Sequence, residues 1–155
     1  MRAEQSVINS FNKSNLPFVI LKGSSFARYY PDPTSRVRGD IDILVNESDF
    51  EAASKILIDS GFISEDFPQN PNWRHIKYYK NNTLIELHRF FWLRDRQAVF
   101  FNVAKREIID GIPCFPPVEN GISMLLHMRW HMGRIGLRHY MDWIMYVRNV
   151  CDDAF

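Results

Sequence analysis

Two aspartates stand two residues apart in an otherwise apolar run, Asp40-Ile41-Asp42-Ile43-Leu44-Val45, directly after Gly39. The β-branched content of the run predicts a strand over 40–45. Alternate residues of a strand share a face, so both carboxylates project together while Ile41 and Ile43 point to a core. Two carboxylates a few ångströms apart repel each other unless positive charge lies between them. A divalent cation answers that problem, and Mg²⁺ takes a couple of carboxylates together with phosphate oxygens. Asp-x-Asp also occurs on wet strand edges, so the chemical reading depends on what accompanies it.

Two companions do. Glu86 lies in Leu84-Ile85-Glu86-Leu87-His88, another alternating run. If that strand neighbours the first, Glu86 joins the two aspartates in a three-carboxylate site able to hold two ions. Earlier in the chain, Gly23-Ser24 follows the apolar run Phe18-Val19-Ile20-Leu21 and precedes Phe26, Ala27, Tyr29 and Tyr30, which are spaced for a helix. Backbone amides and a hydroxyl at such a turn suit a phosphate. Lys22 beside it can reach a phosphate, although a strand-end lysine is commonly solvated. Arg36 and Arg38 flank the aspartates and can pair with phosphate oxygens, or simply balance the local acids.

The remaining chain reads as alternating elements. Residues 3–14 have the spacing of an amphipathic helix with Val7, Ile8 and Phe11 on one face. Serines 24 and 25 suit an N-cap, and residues 31–35 and 64–74 have loop composition. Ser48-Asp49-Phe50-Glu51 has the form of a capping box, opening a helix that carries Phe50, Ala53, Ile56 and Leu57 inward and ends near Gly61. Residues 75–80 and 83–88 predict a hairpin turning at Asn81-Asn82. Residues 98–109 read as a helix or irregular arm, Pro113, Pro116 and Pro117 as a break, and 119–132 and 137–150 as two final helices. The fold class expected is α/β (α+β): a mixed sheet flanked by helices, with a helical appendage. The expected division is a core over 1–110 and a C-terminal helical region over 111–155.

Leu21-Lys22-Gly23-Ser24, then Asp40-Ile41-Asp42-Ile43, then Glu86, resembles the signature of the polymerase-β-type nucleotidyltransferase superfamily. Leu21-Lys22-Gly23, Tyr30-Pro31, Arg36 to Val45 and Glu86-Leu87-His88 resemble in particular its bacterial branch of uncharacterised nucleotidyltransferases. Gly136 to Trp143, with Arg138 and Asp142 one helical turn apart, is similar to that branch as well. The resemblance implies a nucleotidyltransferase-fold enzyme that moves an NMP from an NTP such as ATP to a hydroxyl. It implies Mg²⁺, or Mn²⁺ in its place, on Asp40, Asp42 and Glu86. Lys22, Gly23, Ser24, Arg36 and Arg38 would meet the nucleotide, and Arg138 with Asp142 would hold the helical part against the catalytic sheet. The acceptor, a small molecule, a protein side chain or an RNA end, stays open. The alternative is a catalytically silent nucleotide-binding or toxin–antitoxin module of the same fold. A metal-dependent nuclease also needs clustered acids, but ordinarily wants a lysine near the last of them.

Other candidates have plainer readings. His88 shares a strand face with Glu86 and reads as a hydrogen-bonded histidine. His127 and His131 lack the Glu of a metalloprotease helix and read as helix-face residues. Tyr78-Tyr79 and Phe90-Phe91-Trp92 read as core. Of 155 residues, 46% are hydrophobic and 24% charged, with a net charge of +1, which supports a packed core and argues against a generally basic nucleic-acid-coating surface. Cys114 and Cys151 have no metal-ligand spacing and read as reduced thiols. No apolar run approaches the ~20 residues of a membrane helix, and no signal segment opens the chain, so a cytoplasmic protein is expected.

Overall fold

The computed structural model describes residues 2–37, 39–91, 101–130 and 136–150. Arg38, Trp92, His131 and Cys151, considered above, lie outside the described residues, as do positions 98–100. In chain order the elements are α1 (Arg2–Lys13), β1 (Phe18–Ile20), α2 (Ser24–Ala27), β2 (Ile41–Val45) and α3 (Phe50–Asp59). The chain continues with β3 (Ile63–Ser64), β4 (His75–Lys80), β5 (Thr83–His88), β6 (Glu107–Ile109), β7 (Ile112–Cys114), α4 (Pro117–Trp130) and α5 (Leu137–Val150). Short 3₁₀ turns precede β2, α3 and β6. No helix among the described residues is long and apolar enough to cross a membrane.

Five strands form one mixed sheet in the order β1-β2-β5-β4-β3. β2 and β5 run parallel, and the other neighbours are antiparallel. Period-2 alternation divides the residues between two faces. Ile43, Val45, Ile85, Leu87, Ile76 and Tyr78 face α1 and α3, where Val7, Ile8, Phe11, Phe50, Ala53 and Leu57 complete the main core. On the opposite face Val19, Leu21 and Leu44 form an apolar patch covered by Phe91, Phe101, Val103 and Phe115, and the paired Leu84 and Tyr79 stand at the far end of the face. The rest of that face carries Asp42, Glu86, His88, His75 and Lys77. The candidate site is therefore the polar part of this face that the phenylalanines leave uncovered.

Local details differ from the sequence expectations at four places. Gly23, not a serine, caps α2, with φ 67 and ψ −115 and no side-chain cap bond. That backbone is one an L side chain rarely adopts, and it turns the chain sharply out of β1. The capping box does not form. Residues Glu47–Asp49 make a 3₁₀ turn, Asp49 caps α3 with helical backbone, and its side chain instead accepts from Asn46 Nδ2 at 2.8 Å. A 3₁₀ entry already satisfies backbone amides that a capping serine would otherwise serve. Residues 107–114, read partly as helix and partly as a proline break, form the β6–β7 hairpin. Its turn is Asp110-Gly111, both at positive φ, the tight-turn dipeptide overriding the apolar spacing around it. β3 was also missed, since two residues pairing with Tyr78 and Tyr79 leave no periodic signal. The proposed division between core and helical region falls at this 110–111 turn.

The last two helices join the sheet layer through Phe26, Tyr29, Met124 and Tyr146. Tyr146 lies edge-on to Tyr29, and its hydroxyl donates to the Pro117 carbonyl at 3.0 Å. Gly121 is the gap that admits this ring, for a Cβ there would stand 2.4 Å from the Tyr146 oxygen. Gly121→Ala should therefore cost stability. Overpacking is worth about 1–3 kcal/mol against a helix-propensity gain of about 1 kcal/mol. A net loss of up to about 2 kcal/mol is expected, read as a lower urea midpoint with unchanged slope.

Candidate active site

The parallel pairing of β2 with β5 sets Asp42 opposite Glu86. Asp40 immediately precedes β2, and one carboxylate oxygen from each of Asp40, Asp42 and Glu86 lies within 4.8 Å of the other two. The condition that Glu86 sit on a neighbouring strand is thus met. Asp42 is fully buried, whereas Asp40 and Glu86 are half-buried at the wall of a cavity of about 300 Å³. Lys22, Arg74, His75, Lys77 and Trp130 complete much of that wall.

A buried carboxylate is costly unless paired. Lys22 supplies one partner: its Nζ lies 2.8 Å from Asp42 Oδ1. It is brought there because the Leu21 amide donates to the Asp42 carbonyl at 2.9 Å, extending the β1–β2 ladder by one residue. His88 supplies the other, with Nε2 3.1 Å from the same oxygen. Burial alone would raise the pKa of Asp42, but His88 and the Lys22 ammonium hold it well below the usual carboxylate range. Asp40 shifts the other way, upward, through burial and then the nearby charge of Asp42. Glu86 is held low in spite of burial by its contact with His88. Asp42 Oδ2 is buried and has no hydrogen-bond partner among the described residues. Three converging carboxylates with an unsatisfied buried oxygen are a donor set that fits a hard divalent cation.

The other sequence candidates are distributed around this centre. Gly23 and Gly39 lie with Lys22, Asp40 and Arg138 along a narrow polar cleft beside the acids, and a side chain at either glycine would project into open space. The Ser24 hydroxyl is buried and donates to Glu4 of α1, so it bridges two helices. Arg36 is buried in a two-pronged bond to Asp142, at 2.7 and 2.8 Å, with its guanidinium over the Phe26 ring. Asp142 also accepts from the Tyr30 hydroxyl at 2.7 Å. Burial and that carboxylate push the Tyr30 pKa up to about 12, so the phenol keeps its proton. Asp142 thus ties α5 to the loop leading into β2. The likeness in sequence anticipated that tie, while the partner is Arg36 on the loop.

Sequence reasoning passed over His75, Arg74 and Lys77. His75 and Lys77 face the acids only because β4 pairs with β5, setting His75 against His88 and Lys77 against Glu86. The alternation of residues 75–80 against 83–88 would have revealed them had the hairpin register been followed across. Arg74 lies over the Trp130 ring at 4.6 Å, and burial lowers its pKa. His127, read as a helix-face residue, lines both the cavity and the polar cleft. Tyr78, Phe90 and Phe91 are core as expected, whereas Tyr79 is exposed.

A mixed sheet with clustered acids on adjacent parallel strands, a glycine turn beside them and helices packed behind defines a nucleotidyltransferase-type enzyme. The sequence belongs to the family described as uncharacterised nucleotidyltransferase, which matches residues 2–155. No curated protein matches the chain. Among solved structures, it is similar to the crystal structure of ANT(2'')-Ia in complex with adenylyl-2''-tobramycin, with TM-score 0.69 and 12% identity. That match covers 96% of this chain and 88% of the other. The solution structure of the antibiotic-resistance factor ANT(2'')-Ia is similar too, with TM-score 0.66 and 11% identity over 94% of this chain and 81% of the other. At such identities the likeness establishes the common fold.

Two outcomes follow from this geometry. Asp142→Ala leaves the Arg36 guanidinium buried without its counter-ion, and should destabilise the fold by about 3–5 kcal/mol in chemical denaturation. The second concerns pH. Burial, then the proximity of His88, lowers the His75 pKa from an ordinary 6.5 to about 4. Between those values the unfolded chain holds a proton that the folded ring refuses, so stability falls as pH drops through that window. His75→Asn should flatten that part of a plot of melting temperature against pH.

Proposed function

We propose that this protein transfers an NMP from an NTP, ATP being the first to try, to a hydroxyl-bearing acceptor. The observation that carries the reading is the parallel β2–β5 register, which sets three carboxylates within 4.8 Å of one another in this fold. Asp40, Asp42 and Glu86 would hold Mg²⁺, or Mn²⁺ in its place. A bound divalent ion supplies Lewis-acid charge that favours the ionised acceptor hydroxyl and offsets charge developing on the phosphoryl and pyrophosphate oxygens.

The protein's own groups divide the remaining work. Asp40 and Lys22 border both the 300 Å³ cavity and the polar cleft containing Gly23 and Gly39, so two substrates can meet there from two sides. The glycine side puts no side chain into the cleft at Gly23 or Gly39 and has Arg138 at its wall, which suits the triphosphate. Lys22 is the cation best placed to move from Asp42 to a phosphate. Ser24 and Arg36, engaged with Glu4 and Asp142, position the turn and the loop that carries Asp40. Arg38 remains a nucleotide contact proposed from the sequence alone. The cavity lined by Glu86 and His88 would receive the acceptor, with Glu86 Oε2, 3.7 Å from His88 Nε2, ready to accept the hydroxyl hydrogen. Residues 1–110 would carry this chemistry and 111–155 would wall the substrate space.

The acceptor is a small molecule, a protein or an RNA end. The ANT(2'')-Ia crystal structure holds an adenylylated aminoglycoside, which makes polyhydroxylated small molecules a reasonable first panel. A cytoplasmic location goes with an NTP donor. A second reading, a silent nucleotide-binding module, draws on the Lys22–Asp42 pair, which stabilises the buried acid by means of the protein's own cation.

The test is incubation with Mg²⁺, each labelled NTP and cell lysate, followed by a search for label on protein, RNA or small molecules. Transfer should appear and fall by at least about 100-fold in Asp40→Ala and Asp42→Ala. Transfer indifferent to both substitutions sinks the assignment. Nucleotide binding by calorimetry without transfer establishes the silent module instead.

A further inference from the structure

Glu86 belongs to two clusters. Besides the carboxylate triad, His75, Glu86 and His88 also bring one ligand atom each within 4.8 Å of one another. One imidazole lies against each oxygen of the carboxylate: His75 Nε2 is 3.7 Å from Oε1, and His88 Nε2 is 3.7 Å from Oε2. Ligands each about 2.1 Å from one tetrahedral ion stand about 3.4 Å apart, so a small inward movement, with His88 Nε2 exchanging its contact with Asp42 for the ion, closes this set around a cation. The two rings oppose each other across β4 and β5, with centroids 4.8 Å apart and planes inclined at 46°.

Structural roles leave part of this arrangement unexplained. His88 is used, through Nε2, to support Asp42, yet its Nδ1 is buried without a hydrogen-bond partner among the described residues, in a side chain only 4% exposed. The His75 side chain makes no hydrogen bond among them. Its Nδ1 is buried and unpartnered, and its Nε2 stands beyond hydrogen-bonding distance from Glu86. A mostly buried imidazole normally finds a partner. Its side chain is one-quarter exposed, at the cavity wall, so an ion has a route to it. Both rings also share a sheet face with the acids, whereas Ile76 and Leu87 between them go to the core.

We propose that His75, Glu86 and His88 form a second cation site, adjoining the carboxylate triad through Glu86, for a divalent ion that favours imidazole nitrogen, of the Zn²⁺ or Co²⁺ kind. The two clusters differ in donor chemistry. Oxygen-only ligands suit Mg²⁺ and Mn²⁺, while imidazole raises affinity along the series toward Co²⁺ and Zn²⁺. Sharing Glu86 makes binding at the two clusters interdependent, and sets the nitrogen-bound ion on the cavity side proposed for the acceptor. The site rests on the imidazoles and shares Glu86 and His88 with the nucleotidyl-transfer reading.

The test uses the full chain after chelation, titrated with Co²⁺ and followed by visible d–d absorption and by calorimetry with Zn²⁺. One equivalent is expected to bind with nitrogen ligation, and nitrogen NMR of the unsubstituted protein with Zn²⁺ should shift the imidazoles of His75 and His88. His75→Ala should weaken binding by at least about 100-fold, since loss of an outer partner alone costs 10–100-fold. Asp40→Asn should retain the Co²⁺ band, and its own effect on Mg²⁺-dependent transfer tests the separate nucleotidyl-transfer reading. Unmoved imidazole resonances, or Co²⁺ binding unchanged in His75→Ala, would overturn the second site. Circular dichroism shows whether His75→Ala is folded, and the NMR arm decides if it is not.

Discussion

Asp42 is a carboxylate with no exposure to solvent at the centre of a sheet, and much of the surrounding structure consists of what that charge requires. Isolated burial of a carboxylate costs several kcal/mol even after relaxation. Lys22 comes from the end of β1, His88 from the end of β5, and both meet a single oxygen of Asp42. The other oxygen is left unsatisfied and belongs to the triad. A lysine ammonium and an imidazole therefore stabilise the folded acid without saturating it.

The same economy governs the two faces of the sheet. One face is apolar where α1 and α3 cover it, which makes the strand register rigid, since a slip by one residue would drive Asp42 and Glu86 into the core. The other is apolar toward β1, where the phenylalanines cover it, and polar across the middle of β4 and β5, where Glu86, His88, His75 and Lys77 stand. The helical region then closes over the polar part without covering it. Its attachment relies on specific polar ties, Asp142 to Arg36 and Tyr30, and Asn120 to Ser25 and Tyr29. Those ties orient the loop before β2, and so orient Asp40.

The parts legible in the sequence were those with a short-range signature. The alternation in 40–45 and 83–88, the amphipathic first helix and the final two helices all emerged, because period 2 and period 3.6 are local properties. The hairpin at Asn81 was legible for the same reason. The failures occurred where local chemistry was ambiguous. Ser48 looked like a cap but lies in a 3₁₀ turn, and Asp110-Gly111 was overlooked within an apolar stretch. Ser24 and Arg36 carried the right residue types for phosphate contacts, yet their side chains are engaged with Glu4 and Asp142, residues 20 and 106 positions away.

By itself the sequence determined that Asp40 and Asp42 share a direction and that Glu86 and His88 share another, because alternation along a strand is a covalent regularity. It could not determine that the two directions coincide. That is decided by the parallel pairing of β2 with β5, a contact across 44 residues that depends on burying Ile43, Ile85 and Leu87 beneath two helices. Nor could it bring His75 to the site, since that needs the further antiparallel register of β4. The acids were legible one strand at a time, and their convergence, with the imidazoles beside them, exists only once the sheet has formed.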